Sequence, residues 1–346
     1  MSAPKQTSPA GVRLAVAGAE TLKGRELKEV LESGSHVYAA LKLLGDETAA
    51  GLIEDTGGEA ALIQNTDVWQ FDDVDIVFFA GSAAFTHLHW QQAREYGNRI
   101  VDLSYALEGQ AAPRSPWLEL ELGREPEALR DAPVYVLAHP AAVVLALLLS
   151  RLSRCWTLRS SCATIFEPAS ERDREGMEEL HQQTLKLLNF QSLPTEVFGR
   201  QSAFNLIASL GEEVKPTLAE VTARIERHFR QLLGDNAALP PICVVQAPVF
   251  HGHVFSIFVE LEKETTVAEL AESLLGPHTV HAVDGPWPGN VDAAGDNQIQ
   301  FALRPADATG RRFWLWAAAD NLRIHALQAA EAAEGIAAAL PRGGVQ

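Results

Sequence analysis

The sequence predicts an α/β protein of two domains: a Rossmann-like, doubly wound dinucleotide-binding domain and an α+β domain. Three observations predict it. Near-continuous apolar strand candidates alternate with helical stretches from Arg13 to Ala138, the pattern of a parallel sheet covered on both faces. Beyond Arg151 the strict alternation ends, and strands and helices follow in runs, as in a domain built on a mixed or antiparallel sheet. A chain of 346 residues, 47% hydrophobic and 21% charged, is also long enough to build two cores.

In order, Arg13 to Ala19 is a short apolar strand ending in a turn, and Gly24 to Ser33 has helical periodicity. His36 to Leu44 and Asp75 to Gly81 are the next strands, the second followed by a helix around His87 to Tyr96. Arg99 to Ser104 and Val134 to Ala138 complete the first set. The chain then turns sharply at His139-Pro140 and enters a long apolar helix reaching Leu152. Thr157 to Phe166 predicts a strand, and an amphipathic helix follows from Glu171 to Asn189, with a second over Thr217 to Leu233. Ile242 to Phe250 and Val254 to Glu262 are strands broken by His251-Gly252-His253; Gln298 to Arg304 and Arg312 to Ala319 are two more. His281 to Asn297 is rich in Gly, Pro and Asp and reads as a loop, and Asn321 to Leu340 as an Ala-rich final helix.

A formal net charge of −17 argues against a nucleic-acid partner or an anionic membrane surface, since both select a basic face. The polar first residues, MSAPKQTSPAG, do not form a secretory leader, and the longest apolar run, Ala141 to Leu149, is too short to span a bilayer. Cys155, Cys162 and Cys243 show no CxxC spacing, so neither a disulfide framework nor a structural zinc is expected; Cys162 reads as a small core residue, and Cys155 and Cys243 as core or near-core. The expected location is cytoplasmic.

The strand–turn–helix from Val134 to Leu152 has the frame of an active site, because ligands collect beyond the carboxyl ends of parallel strands and a helix start favours an anionic nucleophile. Its turn offers only Ala141, Ala142 and Val143. Elsewhere, His253 reads as a catalytic base or as a hydrogen-bonded structural residue. His251 and His253, at i and i+2 on a strand, point the same way but lack a third ligand for a metal. The acidic stretch Glu171 to Glu179 reads as a solvated helix face.

Several pieces, in order, are similar to the aspartate-semialdehyde dehydrogenase family: GAETLKG with GRELKEVLE, the strand ending at Ala80-Gly81, IVDLSYAL, the strand–His–Pro turn, EEL at Glu178, AFN at Ala203, APVFHGH at Ala247 and DNLR at Asp320. Within that family the chain resembles the Usg-type paralogues. The resemblance implies an NAD(P)-binding domain from residues 1–138 and 322–346, a dimerisation domain from residues 139–321, and a homodimer. Family enzymes use NADPH to interconvert aspartyl phosphate and aspartate semialdehyde through a cysteine acyl-enzyme.

The resemblance also places the family's working residues. Its nucleophilic cysteine falls on Ala142, whose methyl cannot form a thioester. Its glutamine falls on Glu167 and its substrate-carboxylate arginine on Gln246, while its general-base histidine is retained as His253. Arg224 keeps the place of a second basic substrate contact, and the substrate-phosphate arginine falls on Glu108. In the cofactor loop Gly18 and Gly24 remain, but the middle glycine is Thr21, whose Cβ hinders a pyrophosphate, and Glu20 adds a negative charge. Glu47 stands where a 2′-phosphate contact is expected and favours NAD over NADP. At an effective dielectric of about 20, two like charges about 4 Å apart cost roughly 4 kcal/mol, so one such reversal is enough to erase anion binding.

The expectation is a family member that has lost dehydrogenase activity and serves as a non-catalytic dimeric scaffold or regulatory protein with an unidentified protein partner, binding no metal and no cofactor. NAD or NADP enters only if the cofactor cleft is open. The alternative is an oxidoreductase or acid/base enzyme of the same fold, with NAD(P) bound and an altered substrate, built on His253 and Glu167.

Overall fold

Short runs of Val, Ile, Leu and Phe build the first sheet. The computed structural model describes residues 11–33, 38–56, 59–66, 71–124, 132–234, 237–282 and 286–340. Its backbone separates into two units, Met1–Leu137 with Ala326–Gln346, and Ala138–His325. In the first unit, β1 (Val12–Ala17) leads through Gly18 into α1 (Leu22–Ser33), then β2 (Tyr38–Gly45), a hairpin of β3 (Ile53–Thr56) and β4 (Glu59–Leu62), and β5 (Gln64–Asn65). There follow β6 (Ile76–Phe79), α2 (Ala83–Glu95), β7 (Arg99–Asp102), α3 (Pro116–Glu121) and β8 (Val134–Val136).

The main sheet runs β5-β2-β1-β6-β7-β8 with every pair parallel. Side chains alternate between its faces. Leu14, Val16 and Phe78 join a core with Leu27 and Leu31 of α1 and with Ala329, Ala330 and Ile336, while Ala15, Ala17 and Phe79 join another with Phe71 and Ala93. Strands buried on both faces read as unbroken apolar runs, which is why the sequence predicted this sheet.

The second unit opens with α4 (Pro140–Cys155), whose residues from Pro140 to Leu149 are all buried. A helix apolar on every side is a core element. Next come β9 (Leu158–Glu167), a 3₁₀ turn (Ala169–Arg172), α5 (Asp173–Leu188), and α6 (Leu218–Leu233). The last of these is set by a Thr217/Glu220 capping box and buries Leu218, Val221, Ile225, Phe229 and Leu232. After β10 (Ile242–Gln246), β11 (His253–Leu261), α7 (Val267–Leu274), β12 (Thr279–His281), α8 (Asn290–Ala293), β13 (Ile299–Pro305) and β14 (Arg312–Ala319), the chain ends in α9 (Asn321–Ala339). The sheet order is β10-β9-β11-β14-β13-β12, parallel at both margins and antiparallel between, the mixed sheet expected.

Several expectations need correction. Cys155, Cys162 and Cys243 are exposed, not core. Cys162 and Cys243 fall on the parity of β9 and β10 that faces away from the buried residues Ala163, Ile165 and Val244. The acidic stretch Glu171 to Glu179 is only in part a solvated face: Glu175 and Glu178 are exposed, but its two ends turn inward. Glu171 sits in the 3₁₀ turn with its side chain 9% exposed, and Glu179 is buried, accepting from the amides of Val197 and Phe198 at 2.6 and 3.0 Å. The loop expected over His281 to Asn297 contains α8. The strand expected from His36 begins at Tyr38 among the described residues, His36 lying outside them.

Candidate functional site

In the second unit, strand register builds a buried polar row. Gln246 at the end of β10 pairs with Glu167 at the end of β9. Val254 of β11 pairs with Phe166, and continuing that register one residue sets His253 across from Glu167. Gln246, Glu167 and His253 are each at most 1% exposed. The Gln246 amide donates to the carbonyls of Glu167 and Ala247 at 2.9 and 3.2 Å, which fixes its orientation. Both carboxyl oxygens of Glu167 lack a hydrogen-bond partner among the described residues. Burial, then the neighbouring Glu171 charge, pushes the Glu167 carboxyl up to about 8. Glu167 therefore carries its proton at neutral pH.

Glu171 joins this row to the start of α4. Its carboxylate lies 3.8 Å from His253 Nε2 and 3.7 Å from His139 Nε2. Asn321 holds it, donating from Nδ2 to Glu171 Oε1 at 2.8 Å while its own Oδ1 accepts from the Gly252 amide and the Ser170 hydroxyl. His139 caps α4, accepting the Ala141 amide on Nδ1 at 3.2 Å, and its backbone N–H donates to His228 Nδ1 at 2.9 Å. Desolvation lowers the pKa of both His139 and His253 against the pull of Glu171. Chemically, the cluster offers two imidazoles around one carboxylate and a protonated acid beside them, all buried.

The structure brings together Glu167, Gln246 and His253. Ala142 is fully buried in the first turn of α4, one residue past the amide that His139 caps. Arg224 on α6 is half-buried and lines an open cleft of about 400 Å³ with Lys215, Glu220 and Arg227; its charge bears on His139. His251 does not share a strand with His253: Gly252, at φ 83°, turns the chain, and β11 begins at His253. Among the described residues no group of three or more His, Cys, Asp or Glu could hold a metal ion. Sequence reasoning missed Glu171, Asn321, His139 and His228. A polar string after a strand gives no sign that one carboxylate folds inward.

In the first unit, Gly18 takes φ 90°, and Thr21 precedes α1 as its N-cap. Glu47 is exposed in the turn after β2, where Asp46 Oδ1 accepts from the amides of Thr48 and Ala49. Glu108 is half-buried in the turn after β7. A dinucleotide phosphate needs free amides and room at the start of α1. A Cβ added at Gly18 would lie 2.3 Å from the Gly81 nitrogen, and one at Gly24 2.1 Å from the Gly18 carbonyl oxygen. These glycines serve close packing of main chain on main chain. Thr21 stands between them, its hydroxyl 2.8 Å from the Gly18 carbonyl.

A family profile described as semialdehyde dehydrogenase, NAD binding domain, matches residues 13–146, and one described as semialdehyde dehydrogenase, dimerisation domain, matches residues 166–324. The chain is 31% identical over 332 residues to a protein named USG-1 protein homolog from Azotobacter vinelandii, covering 94% of this chain and 98% of that protein. It is 30% identical over 321 residues to a protein of the same name from Pseudomonas aeruginosa, covering 90% and 93%. Among solved structures it is similar to a probable aspartate-semialdehyde dehydrogenase from Pseudomonas aeruginosa, with a TM-score of 0.83 and 28% identity, covering 94% of this chain and 98% of that one. No helix among the described residues is long and apolar enough to cross a membrane.

Proposed function

The chain belongs to the semialdehyde dehydrogenase family, and from that premise we propose that it is a homodimeric member without dehydrogenase activity, acting as a scaffold or regulatory protein. One observation carries the reading: at the start of α4, where a nucleophile would gain from the helix dipole, the chain places the methyl of Ala142 under a cap made by its own His139. A methyl has no lone pair with which to open a carbonyl.

No thiol stands nearby to replace it. Cys155 ends α4, about 20 Å along the helix at 1.5 Å per residue. Cys162 and Cys243 are exposed on the sheet face opposite to Glu167 and Gln246. The polar row supports the same conclusion. Gln246 carries no charge to hold a carboxylate, and Glu171 fills the space between the two imidazoles.

The test is turnover. Purified protein with aspartate semialdehyde, phosphate and NADP or NAD is expected to give none, and Ala142→Cys none either, because Gln246 and Glu108 still misread an anionic substrate. Turnover in the wild type that His253→Ala abolishes would sink the proposal. A second reading, an acid/base enzyme with another substrate, rests on the carboxylate held between His139 and His253. It predicts that NAD, NADP or some small carboxylic acid raises the melting temperature; no shift with any of them counts against it.

A further inference from the structure

We propose that the Thr21 hydroxyl stands in for a dinucleotide phosphate at the start of α1, and that this internal cap keeps the first unit's nucleotide crevice shut. The sheet order fixes where the crevice lies. β1 has β2 on one side and β6 on the other, so the loops after β1 and β6 part at the topological switch point, where ligands bind in open parallel sheets. A phosphate there is held by the first-turn amides of the helix that follows β1.

In this chain the side chain of Thr21 already occupies part of that helix start. The Gly24 amide donates to Thr21 Oγ1 at 3.0 Å, the N-cap bond that a Thr at this position makes. The Thr21 amide donates to the Gly18 carbonyl at 3.2 Å. The Thr21 hydroxyl lies 2.8 Å from the Gly18 carbonyl and 3.0 Å from the Ala80 carbonyl, so it fastens the loop after β1 to the loop after β6, across the parting. Backbone closes the same gap, since Gly18 admits no Cβ beside Gly81.

The neighbouring charges also disfavour a phosphate. Lys23 donates its ammonium to the Leu103 carbonyl at 3.3 Å and stands 4.9 Å from the centre of the Tyr105 ring, at the end of β7. The Glu20 carboxylate lodges at the end of β2, with Oε2 2.6 Å from where a Cβ on Gly45 would be. It places a negative charge beside any approaching anion. This inference is independent of the missing thiol, because an inactive protein could still bind a dinucleotide.

Calorimetric titration of the full-length protein with NADH and NADPH tests it. Thr21→Ser keeps the hydroxyl and Thr21→Gly removes both hydroxyl and Cβ. The expected result is that Thr21→Gly binds one of the two at least about tenfold more tightly than the wild type and Thr21→Ser, a difference of about 1.4 kcal/mol. A smaller ratio in a variant whose circular dichroism matches wild type overturns the proposal. If Thr21→Gly does not fold, hydrogen exchange on the wild type decides. The Gly24 amide should be protected without ligand and should exchange at the same rate in millimolar NADPH; marked slowing by NADPH overturns the proposal.

Discussion

Glu167→Gln should stabilise the protein, and the gain should grow with pH. Glu167 is 1% exposed, its carboxyl oxygens have no hydrogen-bond partner among the described residues, and burial followed by the Glu171 charge raises it from 4.5 to about 8. Between those values the folded chain keeps the proton that the unfolded chain releases. The unfolded state then binds fewer protons, so this group's contribution is fully present below pH 4.5 and is lost as pH rises toward 8. At about 1.36 kcal/mol per unit, the loss at pH 7 amounts to roughly 3 kcal/mol. Glutamine has the same shape and does not titrate. Urea denaturation of both proteins at matched pH isolates the effect, because the buried His139 and His253, whose lowered pKa values act in the opposite sense, are common to both. The variant's advantage should be near zero at pH 4.5, climb by about 1.4 kcal/mol per pH unit, and level off near pH 8. An advantage constant from acid to neutral pH would refute the reasoning, since it would mean that Glu167 ionises alike folded and unfolded.

Two further perturbations test the packing of the second unit. Leu147 is fully buried in α4, so Leu147→Ala should cost about 2–5 kcal/mol in denaturant unfolding; a cost near zero would show that the helix is not core. Glu179→Ala should cost about 2–3 kcal/mol, because it orphans the buried amide of Phe198 and the partly buried amide of Val197; comparable stability of Glu179→Ala and wild type would show that those bonds are not made in solution.

The fold was legible where burial is symmetric. β1, β6 and α4 are covered on all sides, so their apolar runs needed no knowledge of partners. The second sheet was harder. Its strands bury one face, and a cysteine inside a predicted strand reads as core by residue type, whereas the parity of Cys162 groups it with exposed Ser160. At the candidate site, the sequence named Glu167, Gln246 and His253 separately. Their alignment in a row depends on β10 pairing parallel to β9 and β11 antiparallel to it, contacts about eighty residues apart along the chain that local pattern does not encode. Glu171 was hidden for another reason. A carboxylate in a charged string looks solvated until three distant partners, His139, His253 and Asn321, close around it. Thr21 was visible as a steric obstacle, but its role as a cap depends on the Ala80 carbonyl of the loop after β6.

The starts of α1 and α4 are both capped by the chain's own side chains, Thr21 and His139. Proteins that leave such positions to a bound metabolite gain stability that rises with the logarithm of its supply, about 2.7 kcal/mol when the ligand is at a hundred times its dissociation constant. Here the equivalent groups are present in every copy from the moment of folding. The stability that these two caps contribute is therefore independent of metabolite supply.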